Sequence, residues 1–366
     1  MIFLSAATTA WGLACSFAVE DFKKGAKPDT AVAADGNKID SSIDSDAVLR
    51  DTAIVSDTAD TRPRPDTNKP EVDTGPPEPM GACTTVGPSG TICIPTTTFS
   101  MGAANATACP PSGCPQEQPK TSVKVSQFHI DEFEVTVKRF RAWWNTMPRP
   151  FPAAGATIFS SGAKDLRWKN TWPNAPVEPP ATGCAWLGAT NPANDDKPIN
   201  CVEWYTALAF CMSEGKRLPT EAEWELVASA GDDRLFPWSD PGSEDDPFTE
   251  SDIDCPHALR GTCTPLTTAP NTTIWGRSKF GPWNLSGGFS EWTLDVYTPN
   301  YSGIVAGTTD PIADPTTSTS TGRVTRGGSH VVAGTASPLR AAARPSVAVP
   351  GTNPDSQIGF RCAKRL

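Results

Sequence analysis

Between Phe22 and Phe99 the chain has no Phe, Tyr or Trp, whereas eleven of its twelve Trp fall between Trp143 and Trp292. A segment of that kind cannot bury enough apolar surface to offset the entropy of ordering it. Residues 16–82 carry 14 acidic and 8 basic side chains, net −6 of the chain's −10, and end in TRPRPDTNKPEVDTGPPEP. This composition predicts a disordered acidic Pro/Thr/Asp-rich linker over 16–82, extended at its Pro-rich end and acting as a spacer. Residues 83–366 are left to form one folded domain.

Ahead of the linker, Met1–Ala14 (MIFLSAATTAWGLA) is an apolar run of signal-peptide length, too short to span a bilayer, and Gly12-Leu13-Ala14 leads into Cys15. Small residues before a cysteine resemble a bacterial lipoprotein processing site. Residues 1–15 are therefore expected to be a signal peptide with a lipobox, and Cys15 to carry the acyl chains that hold the protein on a membrane. The plainer alternative is a cleaved signal peptide with Cys15 incidental. Either way the expectation is export, as a bacterial outer-membrane or cell-surface lipoprotein or as a periplasmic protein. A net charge of −10 excludes nucleic acid as a partner, since phosphate binding needs clustered Lys and Arg.

Setting Cys15 aside, ten cysteines remain, an even number that suits disulfides in an oxidising compartment. Cys83 with Cys93, Cys109 with Cys114 and Cys255 with Cys263 are local by spacing; Cys184, Cys201, Cys211 and Cys362 complete the set. None has the C-x-x-C spacing of a zinc or thioredoxin motif. His129, His257 and His330 are the only histidines, so a multi-histidine metal site would need nearly all of them.

The spacing of Thr136, Phe140 and Trp143 or Trp144 predicts a helix over Val135–Thr146. A second helix starts at Thr220, where Thr220 and Glu223 form a capping box, and ends at Gly231. A weaker one covers Val202–Glu214, with Trp204, Leu208 and Cys211 on one side. Short apolar runs at Thr91–Ile94, Val123–Val125 and Phe128–Ile130 read as strands. With 37 Pro and 29 Gly, the rest reads as loops. The fold class is α+β, low in regular secondary structure and braced by disulfides.

Five segments in order carry a resemblance: FSMG at Phe99, FHIDEFEVT at Phe128, PINCVEWYTALAFCMSEGKRLPTEAEWELVASAG at Pro198 with FPW at Phe236, NLSGGFSEW at Asn284, and RGGS at Arg326 with Ala343-Arg344 and Gly359-Phe360-Arg361. Together they resemble the formylglycine-generating, sulfatase-modifying factor family over about 92–363. The resemblance implies the formylglycine-generating-enzyme variant of the C-type-lectin-like fold. Family members use O2 and copper to oxidise a cysteine in a Cys-x-Pro-x-Arg motif, holding the metal through two cysteines just after the GGS turn. Here those positions are Val332 and Ser337 (or Ala336), and no sulfur lies between Cys263 and Cys362. Ser329, His330 and Thr335 lie nearby but make a poor soft-metal site, and copper is not expected. Ser290 stands where an aromatic often flanks the oxygen pocket.

The resemblance also implies a Cys211–Cys362 disulfide and a structural Ca2+ held by the side chains of Asn284 and Glu291 with the carbonyls of Leu285, Gly287 and Phe289. The alternative is a plain turn in which Asn284 caps and Glu291 pairs with an arginine. A second family calcium site, for which Asp252 or Asp254 could serve, is not assignable. Arg217 with Glu221–Glu225 is expected to form internal ion pairs rather than a catalytic set, and Arg344 and Arg361 either meet a substrate or brace the core. Two functions remain in view. One is a lipid-anchored binding module taking a peptide, glycan or envelope protein through the old substrate groove; the other is an oxidoreductase with a changed active site.

Overall fold

The computed structural model describes residues 83, 87–103, 114–146, 148–149, 151–162, 164–239, 257–258, 277–318, 322–331, 337–344, 346–348 and 355–365. All of them belong to the compact unit Val72–Leu366. The expectations for residues 1–82, Cys15, Cys109, Asp252, Asp254, Cys255, Cys263, Val332, Thr335 and Ala336 lie outside the described residues.

Each of the three expected strands forms. Thr91–Ile94 (β1) and Phe128–Asp131 (β4) pair antiparallel, with Ile92 opposite Ile130, and Ala363–Arg365 (β11) lines the other side of β4. Thr97–Met101 (β2) pairs with Thr121–Val125 (β3), where Thr121, Val123 and Val125 point inward and the alternate residues outward. That two-residue period is what a strand with one wet face requires. Thr157–Ser161 (β5) and Lys164–Arg167 (β6) form a second ladder. The remaining sheet orders Ile358–Gly359 (β10), Ser290–Val296 (β7), Arg323–Arg326 (β8) and Ser346–Ala348 (β9), with β10 parallel to β7 and the other pairs antiparallel. All seven residues of β7 are buried, so both of its faces are covered and Glu291, Thr293 and Asp295 must find partners inside the protein.

The helices are shorter than the sequence patterns. The first, Val137–Trp144 (α1), begins after Thr136, which acts as N-cap and accepts a hydrogen bond from the Arg139 backbone N–H rather than adding to the buried stripe. The second, Trp204–Ser213 (α2), buries Trp204, Leu208 and Cys211 as expected. Glu221–Ser229 (α3) carries the reciprocal Thr220–Glu223 capping box, but ends one residue early: Ala230 takes the left-handed turn at φ 51°, ahead of Gly231.

Two large apolar clusters follow. One gathers α1, α2 and β7, with Phe140 edge-on to Trp186 at 5.5 Å and Phe210 edge-on to Phe360 at 5.5 Å. The other packs α3 under β1–β4. Two indole N–H groups inside the first cluster are satisfied by backbone: Trp204 donates to the Thr293 carbonyl at 2.7 Å and Trp292 to that of Val202 at 2.8 Å. Disulfides join Cys83 to Cys93, Cys184 to Cys201 and Cys211 to Cys362, and Cys114 is also disulfide-bonded.

Candidate functional site

The GKRLPTEAEWE run turns three glutamates into the protein at the start of α3. Glu223 receives two 2.6 Å hydrogen bonds from Arg217, Glu225 receives Arg326 at 2.5 Å, and Glu221 receives Arg344 at 2.6 Å and the Tyr301 hydroxyl at 3.0 Å. With each carboxylate so matched, this set braces the core. Beside it, Asp295 accepts the backbone N–H groups of Glu221 and Ala313, and burial together with the nearby Glu221 pushes its carboxyl up to about 7. A carboxyl raised in the folded state favours folding while protonated. Its contribution is therefore full below the ordinary Asp value and lost as pH rises through about 7, at about 1.4 kcal/mol per unit of elevation. Melting temperature is expected to fall between pH 4 and pH 8, and Asp295→Asn to reduce that slope; equal slopes for the two proteins would acquit Asp295.

The RGGS turn follows directly from β8. A Cβ on Gly327 would lie 3.1 Å from both the Leu285 carbonyl and the Trp224 ring, and one on Gly328 would lie 2.8 Å from the Pro338 carbonyl. Both residues also have positive φ, so only glycine fits. The turn delivers Ser329 and His330. Ser329 Oγ donates to Gln357 Oε1 at 2.7 Å, and His330 Nδ1 lies 3.0 Å from the Gly288 carbonyl. A carbonyl only accepts, so Nδ1 carries a proton and donates it, and Nε2 is the ring nitrogen left outside this contact. One imidazole nitrogen and an engaged hydroxyl do not fit copper(I), which selects thiolates. Ser337 opens a short 3-10 turn, Ser337–Leu339, after the turn.

Asn284, Leu285, Gly287 and Phe289 lie on the loop that leads into β7, and Glu291 is the second residue of that strand. Arg361 Nε and Nη2 reach the two Glu291 oxygens at 2.7 and 2.6 Å, and Trp224 Nε1 donates to Oε2 at 2.9 Å. Glu291 thus makes the arginine pair that the plain-turn alternative describes. The sequence reading did not single out Glu134, within the FHIDEFEVT segment. It is buried, its Oε2 lies 3.4 Å from Asn284 Nδ2, and its Oε1 has no hydrogen-bond partner. Burial first, and then the Glu291 charge, push its carboxyl up to about 8. Amide, carbonyl and carboxylate oxygens without a soft donor suit a hard cation, and an orphaned carboxylate oxygen is what such an ion would satisfy. The donor set therefore fits Ca2+, with Glu134 added.

A cavity of about 240 Å3 opens beside the turn, walled by Cys184, Lys197, Asn200, Phe289 and His330 among others. It joins residues from the GGS turn, the Asn284 loop and the segment before α2. Asn200 is spent on the wall itself, accepting the Ala185 N–H at 2.7 Å and donating to the Ser356 carbonyl at 2.6 Å.

Residues 77–366 match the model of the sulfatase-modifying factor enzyme 1-like domain. The formylglycine-generating enzyme of Streptomyces coelicolor is 31% identical over 308 residues, which cover 78% of this chain and 92% of that protein. The inactive C-alpha-formylglycine-generating enzyme 2 of Mus musculus is 29% identical over 213 residues, 52% of this chain and 65% of that one. Among solved structures, PvdO from Pseudomonas aeruginosa aligns with a TM-score of 0.46 at 19% identity, covering 75% of this chain and 94% of its own. The chain belongs to the sulfatase-modifying factor family and has the formylglycine-generating-enzyme variant of the C-type-lectin-like fold.

Proposed function

We propose that this protein is an exported, lipid-anchored member of the family that does not perform copper-dependent cysteine oxidation and instead binds a peptide, glycan or envelope protein in the cavity beside the GGS turn. The observation that carries this reading is the absence of sulfur from Cys263 to Cys362, across the two positions where the family holds its metal. The residues beside the turn support it, because the Ser329 hydroxyl is engaged by Gln357 and the one nitrogen left to His330, Nε2, does not replace a pair of thiolates. A relative whose name declares it inactive supports it further. Incubating the purified protein with copper(I), O2 and a Cys-x-Pro-x-Arg peptide is expected to leave the peptide mass unchanged. Loss of the cysteine sulfur, read by mass spectrometry, would overturn the reading. The anchor is tested by the intact mass of the native protein, which is expected to show an acylated Cys15 at its amino terminus; an unacylated Cys15 would remove the anchor.

Structural Ca2+ belongs to the same proposal. Asn284, the loop carbonyls of Leu285, Gly287 and Phe289, and the carboxylates of Glu134 and Glu291 would hold it, and it would fix the loop that walls the cavity. Ca2+ at one hundred times its dissociation constant stabilises by about 2.7 kcal/mol. EDTA is therefore expected to lower the melting temperature by several degrees, and Glu134→Gln to abolish that response. A melt indifferent to EDTA would count against the ion.

A further inference from the structure

We infer that the Cys184–Cys201 disulfide is a thiol–disulfide exchange centre serving the cavity beside the GGS turn, and that its substrate is an anionic peptide thiol. This deepens the binding proposal, and rests on it only in that a partner must enter the same cavity. The two sulfurs are unequally placed. Cys184 is half-buried and lines the cavity, while Cys201 is buried at 1% exposure. An incoming thiolate can therefore reach one sulfur, that of Cys184. Cys201 sits at φ 60°, in the left-handed region that a side-chain-bearing residue rarely adopts, and strain of this type tends to gather where a protein does chemistry.

Other residues suited to the reaction line the same cavity. His330 and Lys197 are the titratable side chains on the cavity wall. Lys197 supplies positive charge for a thiolate and for neighbouring carboxylates, and Phe289 supplies an apolar wall. The step balances as an exchange. The substrate enters as its thiolate, the thiolate sulfur bonds to Cys184 Sγ, the Cys184–Cys201 bond breaks, and the electron pair leaves on Cys201 Sγ, which takes up a proton from solvent. The substrate is left as a mixed disulfide on Cys184, and no external oxidant enters.

The test uses the full chain with glutathione, cysteamine and a glutathione analogue bearing serine in place of cysteine. After acid quench and alkylation, mass spectrometry is expected to find glutathione on Cys184 and a free thiol on Cys201. Glutathione should react faster than cysteamine, and Lys197→Ala should remove that preference. No adduct, or an adduct on other cysteines only, would overturn the proposal. If the serine analogue binds while no adduct forms, the groove stands and the exchange centre falls. If the adduct forms on Cys184 without measurable affinity for the serine analogue, the exchange centre stands and the affinity reading falls.

Discussion

Arg361→Met is expected to lower the unfolding free energy by about 3–5 kcal/mol, the loss that follows when one partner of a buried ion pair is removed. Arg361 is fully buried, and its guanidinium makes two hydrogen bonds to Glu291 and three to backbone carbonyls: Asp131 at 3.2 Å, Glu132 at 3.3 Å and Trp283 at 2.7 Å. One side chain thus ties the end of β4, the start of the Asn284 loop and the first residues of β7. Methionine fills much of the same volume but leaves Glu291 buried with Trp224 Nε1 as its remaining side-chain donor. The carboxylate must then ionise in an apolar setting or take up a proton. Replacing both partners, as Arg361→Met with Glu291→Met, is expected to recover part of the loss, because no charge is then stranded. Urea unfolding of the two single variants and the double variant gives the cycle directly. A single-variant loss under about 1 kcal/mol would mean that water reaches the pair and that it behaves as a surface ion pair.

The parts of this fold that the sequence disclosed are those governed by neighbours along the chain. Thr220 and Glu223 sit three apart, so the capping box can be read without knowing what α3 packs against. The Phe140, Trp143 and Trp144 spacing likewise reports the buried face of α1. Strand β7 was harder to see for a physical reason. Trp292, Leu294 and Val296 alternate with Glu291, Thr293 and Asp295 as in a strand with one wet face, yet both faces are covered, and the polar residues are satisfied by partners remote in the chain, such as Arg361 for Glu291. Glu134 escaped notice because its neighbours are Asn284 and Glu291, about 150 residues downstream, and nothing in FHIDEFEVT distinguishes it from Glu132 two residues before it. The Cys184–Cys201 pairing was left open because spacing alone does not select partners among remaining cysteines. The same limit applies to the cavity, whose wall draws on four separate stretches of chain. By contrast, the missing copper thiolates are a matter of residue identity, and were legible at once.

Removing the Cys211–Cys362 disulfide by alanine at both positions is expected to cost about 5 kcal/mol in the chain-entropy view, against about 3 kcal/mol for Cys83–Cys93, because the cross-linked loops differ so much in length. Their sequence separations are 151 and 10 residues. The longer tie restricts the unfolded chain more, and it also lies in the core: Cys211 and Cys362 are both fully buried within the cluster that holds Phe210 and Phe360. Loss of its sulfur atoms therefore adds a packing defect in the folded state to the entropy released in the unfolded one. It joins the last turn of α2 to the residue between Arg361 and β11, so the ion pair and the disulfide hold one short segment from opposite sides. The two effects are then expected to couple, and Arg361→Met in the alanine background should cost less than in the intact protein, since part of the segment's order is already gone. Melting temperatures of the four proteins decide it. Strict additivity would show that the segment is held by its own packing, with neither tie depending on the other.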